Sequence, residues 1–175
     1  RTILNNNLII QKVTGNELNS EMWDSFYNFY LNTIDKKWGG AYLTKSFFNL
    51  INKTMNNKIL LVIARQNNKI VAGALNFIGD DTLYGRNWGS IVDIPFLHFE
   101  LCYYQAIEYA INNNIKKVEA GAQGHHKIQR GYVAESIYSS HLIQNKAFAK
   151  AVRNFVQIEA KEIDKQIRLI NAQSS

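Results

Sequence analysis

Apolar positions along the chain follow two periods, and the shorter one marks the strands. Residues 7–14 alternate, and three short apolar runs farther along are separated by tight turns such as Asn67–Asn68. Runs of this kind predict an antiparallel meander. Residues 116–120 follow a helix and predict a parallel strand, because a parallel pairing needs a crossover connection. The predicted strands are 7–14, 58–66, 69–78, 82–90, 116–120 and 138–144.

The longer period, near that of an α-helix, marks four helices. Ser20 and Thr44 are candidate N-caps of the first two. The third helix follows Pro95 and is apolar nearly all round, which predicts that it packs on a sheet. The predicted helices are 21–37, 45–56, 96–112 and 146–172.

The order of these elements predicts a mixed α/β (α+β) sheet. It combines an antiparallel meander with a parallel strand, and helices cover both faces. The 175 residues predict a single domain spanning 1–175. Because the chain begins with Arg1 and not Met, we expect it to be part of a longer protein.

Charge is distributed unevenly along the chain. The formal net charge is +6, and Lys and Arg outnumber Asp and Glu by 10 to 5 over residues 116–175. This excess indicates an anionic partner such as RNA or a phosphorylated cofactor, or else a solvated basic face. No apolar run is long enough for a transmembrane segment.

Cysteine and histidine are sparse. Cys102 is the one cysteine and lies within the apolar helix, so we interpret it as a packing residue in a protein of the cytoplasm or another reducing compartment. The 4 histidines show no metal-ligand spacing. The sequence therefore predicts no metal site.

Polar side chains that can take part in chemistry gather at the element junctions of residues 82–132. Glu119 lies in a short strand predicted to be buried. Partial desolvation there would raise the pKa of its carboxylate and suit it to act as a general base. The alternative is a strand-end glutamate in an ion pair with Lys or Arg. His98 and Glu100 open the apolar helix, so His98 can orient a substrate or accept a proton, or both can be solvent-facing helix ends. The whole set comprises Arg86, His98, Glu100, Glu119, Gln123, His126, Lys127 and Arg130.

The strand 82–90 and the following glycine-rich loop each suggest a binding surface. Alternation places Tyr84, Arg86 and Trp88 on one face, as an aromatic and basic patch or as packing under a helix. In the loop, Lys127 and Arg130 are candidates for binding phosphates. His125 and His126, if extended, point to opposite sides, so only one faces a site.

Four segments together resemble a known family. They are LYGRNWGS, HFELCYYQAIEYAI, VEAGAQGHHK and RGY, within a match from Trp23 to His141. The family is that of the Fem-like predicted N-acyltransferases of the GNAT superfamily, also labelled peptidoglycan biosynthesis or recognition proteins. The resemblance implies a GNAT fold and transfer of an acyl or aminoacyl group, from acyl-CoA or aminoacyl-tRNA, to an amine such as that of a cell-wall precursor. It also favours His126 over His125, because the family pattern carries His126. Fem-type transferases often have two such domains in tandem and only one fits this sequence, so the resemblance also implies a missing N-terminal domain.

Two departures from the family matter for mechanism. His125 stands where the family usually has Glu, and the stretch GSIVDIPFLHFE lacks the glycines with which acyl-CoA enzymes wrap a pyrophosphate. Asp93 and Pro95 oppose phosphate binding there, which favours a larger donor held by side chains. We therefore expect an enzyme with Glu119 or His126 as base. The alternative is a catalytically silent binding or assembly module that contacts RNA or a larger complex.

Overall fold

Five strands form one sheet, and their spatial order is their order in the sequence. The computed structural model describes residues 6–35, 40–121 and 124–173. The first four strands are antiparallel, and the fifth lies parallel to the fourth. The predicted fold class is therefore confirmed. The strands are β1 (Leu8–Thr14), β2 (Ile59–Gln66), β3 (Lys69–Ile78), β4 (Thr82–Ser90) and β5 (Lys117–Glu119).

Strand β2 lies at the centre of the packing because both of its faces are apolar. Ile59, Leu61 and Ile63 enter one hydrophobic cluster, and the residues between them enter another on the opposite face. The β2–β3 hairpin turns at Asn67–Asn68, both with positive φ, as the predicted tight turn requires.

Helices α1 (Ser20–Asp35) and α2 (Lys45–Met55) cover one face of the sheet, here called the aromatic face. Its cluster contains Trp23, Phe26 and Phe48, whose rings meet edge-on or tilted at centroid distances of 5.8–6.4 Å. Thr44 caps α2 by accepting a hydrogen bond from the Phe47 N–H, as predicted. The prediction that Ser20 caps α1 is wrong. The Asn19 side-chain oxygen accepts a hydrogen bond from the Met22 N–H and caps the helix instead, and Ser20 is already helical.

Helix α3 covers the opposite face, here called the aliphatic face, through Leu97, Leu101 and Ala106. It is α-helical over Leu97–Phe99, π-helical over Glu100–Tyr104 and α-helical again over Gln105–Asn112. The wider π turn changes which side chains face the sheet, and Tyr104 and Ile111 point to solvent. Helices on both faces of the sheet were predicted and are confirmed.

The described residues fall into two compact units, 1–121 and 122–175. The second contains the short helix α4 (His125–Ile128) and the long helix α5 (Lys146–Gln173). Residues 138–144 form no regular structure, so the strand predicted there is wrong: its side chains are largely exposed and it pairs with nothing described. That residues 1–175 form one GNAT-like domain stays a prediction.

Candidate active site

Strands β4 and β5 pair over three positions and then part. The pairs are Thr82 with Lys117, Leu83 with Val118, and Tyr84 with Glu119. At Gly85 the β5 backbone is still close, because a Cβ there would lie 3.1 Å from the Glu119 carbonyl oxygen. Beyond it, no described strand pairs with residues 85–90 on that side. This stretch, here called the open edge of β4, has no described neighbouring strand on that side, so its backbone N–H and C=O groups are suited to pair with a ligand. The Ser90 carbonyl oxygen already accepts from the Asn32 side-chain amide at 2.8 Å.

A β-bulge lies at the start of the open edge. Asn76 of β3 opposes Gly85, and Leu75 opposes Asn87, so Arg86 is the extra residue. A bulge shifts the alternation of side chains by one. Tyr84 consequently shares the aromatic face with Phe77, and Trp88 lies on the aliphatic face with Ala74. The prediction that Tyr84, Arg86 and Trp88 share one face is wrong for this reason.

On the aromatic face the bulge directs Arg86 towards the helices. The Arg86 guanidinium donates to the Tyr42 hydroxyl at 3.1 Å. The Tyr42 ring meets the buried Tyr30 edge-on, and the Tyr30 hydroxyl accepts from the backbone N–H groups of Tyr42 and Leu43. Arg86 and Tyr42 are both exposed, so this anchored pair offers a cation and a phenol to a ligand.

Glu119 also lies on the aromatic face, beside Tyr84 across the parallel pairing. Its side chain is exposed, and Tyr84 is 43% exposed. The expected partial desolvation of Glu119 is therefore wrong, because β5 ends there and no described element covers it. An exposed carboxylate at the mouth of a strand gap can still accept a proton from an incoming amine.

On the aliphatic face, aromatic rings surround His98. Its imidazole meets Trp88 at a centroid distance of 5.3 Å and Tyr103 at 5.5 Å, both edge-on. His98 is half-buried, which excludes the fully solvated helix end. Glu100 accepts from the Gln105 side-chain amide at 2.8 Å, across the π turn. Of the predicted set, the structure groups Trp88, His98 and Glu100 here, on the other side of the sheet from Arg86 and Glu119.

The second unit contains the remaining predicted residues. His126 and Lys127 lie in α4, so the premise of an extended loop is wrong, and the His126 ring folds back over Gly124. Arg130 donates to the His126 carbonyl oxygen. Burial lowers the pKa of the Lys127 ammonium, since desolvation disfavours its charge. Gln123 lies outside the described residues.

Sequence reasoning missed Tyr42, Asn76 and Asn87. Asn76 is 1% exposed and its side-chain amide donates to the carbonyl oxygens of Leu60 and Ala74. The Asn87 side-chain oxygen is buried beside the bulge with no hydrogen-bond partner among the described residues. A buried acceptor without a partner is costly, so it suits a ligand that donates. An asparagine interrupting an apolar strand was the available signal for Asn76.

Two kinds of feature are absent from the described residues. No group of three His, Cys, Asp or Glu side chains there is arranged to hold a metal ion. Nor does that part of the chain contain a helix with the length and apolarity needed to span a membrane.

Comparison with known proteins supplies the family. The FemAB-like family, described as peptidoglycan biosynthesis/recognition, matches residues 1–175. The chain belongs to the FemAB-like family. The predicted Fem-like membership is thereby confirmed. No curated protein sequence matches the chain.

Solved structures similar to this FemAB-like chain include acetyltransferases. One is an aminoglycoside acetyltransferase from an uncultured soil metagenomic sample in complex with trehalose, 13% identical with a TM-score of 0.58, covering 81% of this chain and 99% of that one. Another is a predicted acetyltransferase with acetyl-CoA from Clostridium acetobutylicum, 15% identical with a TM-score of 0.57, covering 78% and 96%. At such identity they show the fold alone, which is that of the GNAT acetyltransferases.

Proposed function

We propose that this FemAB-like chain is an N-acyltransferase that passes an acyl or aminoacyl group from a carrier to an amine. The open edge of β4 is the observation that carries the proposal. A donor with amide groups can lie along it as an added strand, exchanging backbone hydrogen bonds with residues 85–90. Reactive side chains flank this edge on both faces of the sheet.

The reaction needs orientation and proton transfer more than covalent help from the protein. The amine nitrogen bonds to the acyl carbonyl carbon, and the bond from that carbon to the donor sulfur or oxygen breaks. The amine loses a proton to a base, and the leaving thiolate or alkoxide gains one. Unpaired backbone N–H groups on the open edge can stabilise the carbonyl oxygen as it becomes negative.

Glu119 and His126 are the candidate bases, and His98 is the third candidate catalytic residue. Glu119 is exposed beside the end of the β4–β5 pairing, where an amine can reach it. His98 is held by rings on the aliphatic face, so it is suited to contact the donor. The buried Asn87 oxygen can accept a hydrogen bond from the amine before attack.

The acceptor is proposed to be an amine-bearing cell-wall precursor, in keeping with the family description. Arg86 and Tyr42 lie on the same face as Glu119 and offer a cation and a hydroxyl. This pair suits a carboxylate or phosphate on the acceptor, because guanidinium recognises such groups with two N–H donors. Tyr84 borders the same surface. Lys127 and Arg130 in the second unit are candidates for binding other anionic groups.

The start of α3 does not favour a donor that binds through a wrapped pyrophosphate. Pro95 has no N–H, and the Leu97 N–H already donates to the Ile94 carbonyl at 3.2 Å. Asp93 is exposed nearby and repels phosphate. These contacts support aminoacyl-tRNA, or acyl-CoA held in an unusual manner, as the donor.

Labelled transfer to an amine tests the proposal. The purified chain is incubated with acetyl-CoA, longer acyl-CoAs and aminoacyl-tRNA in separate reactions. We expect transfer with one donor class, and a drop in kcat of about a hundredfold or more in Glu119→Gln or His126→Ala, since a positioned base contributes about that much. His141→Ala is the matched control, because His141 is exposed and contacts Ser139 outside the proposed site.

Unchanged turnover in both Glu119→Gln and His126→Ala contradicts the assignment of the base. Absence of transfer with every donor, together with salt-dependent binding of tRNA regardless of its charging, supports the binding-module alternative instead.

A further inference from the structure

A row of three neighbouring rings runs from Tyr103, buried within α3, to Phe96, which immediately precedes the helix and is exposed to solvent. Tyr103 is buried, Phe99 is half-buried and Phe96 is 66% exposed. The Phe99 and Tyr103 rings are 6.0 Å apart and inclined by 25°, and the Phe96 and Phe99 rings are 6.3 Å apart and inclined by 32°. The inner pair is stacked and the outer pair is tilted, and the exposure of Phe96 leaves its ring accessible to a further flat ring.

The backbone at Phe96 is unfavourable for phenylalanine. Its φ is 67°, in the left-handed region, which a bulky side chain rarely adopts. Glycine or asparagine would occupy the same position with less strain. The fold itself thus gains little from phenylalanine here, since the ring is largely exposed. A strained, exposed aromatic residue beside a candidate site indicates a role in binding.

We propose that Phe96 stacks on the adenine ring of the acyl donor. The inference rests on the proposed function, because both donor classes named there carry an adenosine: acyl-CoA in its nucleotide, and aminoacyl-tRNA at the terminal nucleotide that bears the aminoacyl group. Stacking recognises the flat face of a base without hydrogen bonds and needs no phosphate site. It therefore fits a helix start where Asp93 is exposed and Pro95 has no N–H.

The location of Phe96 agrees with this role. It lies six residues after Ser90, the last residue of the open edge of β4. A donor that runs along residues 85–90 with its acyl group towards the bulge extends its opposite end towards the start of α3. Phe96 and the candidate base Glu119, beside the end of the β4–β5 pairing, are thereby assigned to opposite ends of one elongated donor.

Binding measurements on substituted versions of the 175-residue chain test the proposal. Phe96→Gly removes the ring and relieves the backbone strain, so we expect unchanged or higher thermal stability. Its Kd for an adenosine-bearing donor should rise about tenfold, at the low end of what one stacked base contributes. Phe96→Tyr keeps a stacking ring and should bind as the wild type does. Phe96→Asn also tolerates the left-handed region and repeats the test if glycine impairs folding.

Matched ligands identify the group that is recognised and its source. Acetyl-CoA is compared with S-acetyl-pantetheine, which lacks the nucleotide. An RNA oligonucleotide ending in adenosine is compared with the same oligonucleotide ending in an abasic nucleotide. If Phe96→Gly loses affinity tenfold for acetyl-CoA alone, stacking is supported and the adenosine belongs to an acyl-CoA donor. If it loses affinity tenfold for the adenosine-ended RNA alone, stacking is supported and the adenosine belongs to a tRNA donor.

Three results overturn the proposal. The first is that the wild type binds neither adenosine-bearing ligand better than its matched ligand. The second is that Phe96→Gly binds both as tightly as the wild type does. The third is that Phe96→Gly weakens the matched ligands equally.

Labelled transfer separates the two proposals. If Phe96 contributes to the binding of adenosine-bearing ligands but no acyl group is transferred, the acyltransferase function is rejected and the adenosine site is retained. Transfer with an unchanged KM in Phe96→Gly rejects stacking and keeps the function.

Discussion

The two compact units differ in how their residues are held. In residues 1–121, two hydrophobic clusters fill both faces of the sheet, and many side chains are fully buried. Among the described residues 124–173, none reaches that level, and Phe148, Phe155, Ile158 and Leu169 of α5 are all more than half exposed. The sheet unit therefore owes its stability to packing of its own side chains, and the second unit has little core of its own.

Specific polar contacts take the place of a core in the second unit. The Asn171 side-chain amide donates to the Ala134 carbonyl oxygen and accepts from the Ala134 N–H, both at 2.9 Å. This pair ties the segment after α4 to the last turns of α5. Substitutions in the sheet unit should therefore act mainly by removing packing. Substitutions in the second unit should act mainly by removing single hydrogen bonds.

The largest expected difference is in thiol reactivity. Burial raises the pKa of the Cys102 thiol to about 12, so at pH 8 only about one molecule in ten thousand carries the reactive thiolate. We expect Cys102 to resist iodoacetamide in the native chain and to react once the chain is unfolded in urea. Raising the pH from 8 to 9 should accelerate the native reaction about tenfold, since the thiolate fraction rises tenfold.

Ala160→Cys in a Cys102→Ala background is the counterpart in the second unit. Ala160 is exposed on α5, so this thiol should react at the rate of a free cysteine. Equal rates for the two cysteines would contradict the difference in packing.

Removal of a phenylalanine should cost far more in the sheet unit. Phe26 is 1% exposed and contacts Trp23 and Phe48, so Phe26→Ala should lower the free energy of unfolding by about 3–5 kcal/mol. Phe155→Ala, at 62% exposure, should change it by less than about 0.5 kcal/mol. Urea denaturation followed by circular dichroism measures both. A larger loss from Phe155→Ala would indicate that α5 is packed in solution.

A methyl group added under α1 should be the next largest effect. A Cβ at Gly89 would clash with the Phe29 carbonyl oxygen, and backbone cannot yield as a side chain can. Gly89→Ala should therefore destabilise the chain by about 1–3 kcal/mol. Gly40→Ala is the control, because a Cβ there would meet no atom within 4 Å. Equal melting temperatures for the two variants would show that α1 lies farther from β4 than described.

The smallest effect is expected at Asn171. Asn171→Ala removes both hydrogen bonds to Ala134, and each contributes about 0.5–1.5 kcal/mol when fully protected and less when partly exposed. Hydrogen exchange at the Ala134 N–H should accelerate, while exchange in β2 stays unchanged. Asn154→Ala, on an exposed position of the same helix, should alter neither. An unchanged exchange rate at the Ala134 N–H would contradict a stabilising role for these two hydrogen bonds.

Much of the sheet unit was predictable because its pattern is local. The β2–β3 hairpin follows from two apolar runs around Asn67–Asn68, and the Thr44 cap follows from its place before a helical repeat. Residues 138–144 show the opposite case. The sequence predicts a strand there, but strand formation needs a partner, and no described segment supplies one.

The candidate site was less predictable, because the face on which its side chains lie depends on a one-residue shift in the pairing of β3 with β4. Alternation places Tyr84 and Trp88 together, and only the pairing with β3 reveals the bulge at Arg86 that separates them. The exposure of Glu119 depends likewise on where β5 ends. Tyr42 enters the site through tertiary contact with Arg86, which no local pattern encodes.

The bulge also has a consequence for how such a protein can diversify. Because it sends Tyr84 and Trp88 to opposite faces, a single strand borders two surfaces that share no side chain. Selection can then alter the proposed acceptor surface around Tyr42 and Arg86 while the ring cluster around His98, proposed to contact the donor, stays intact. Libraries that vary only the residues on the aromatic face of β4 should therefore yield variants with a changed acceptor range and an unchanged donor preference.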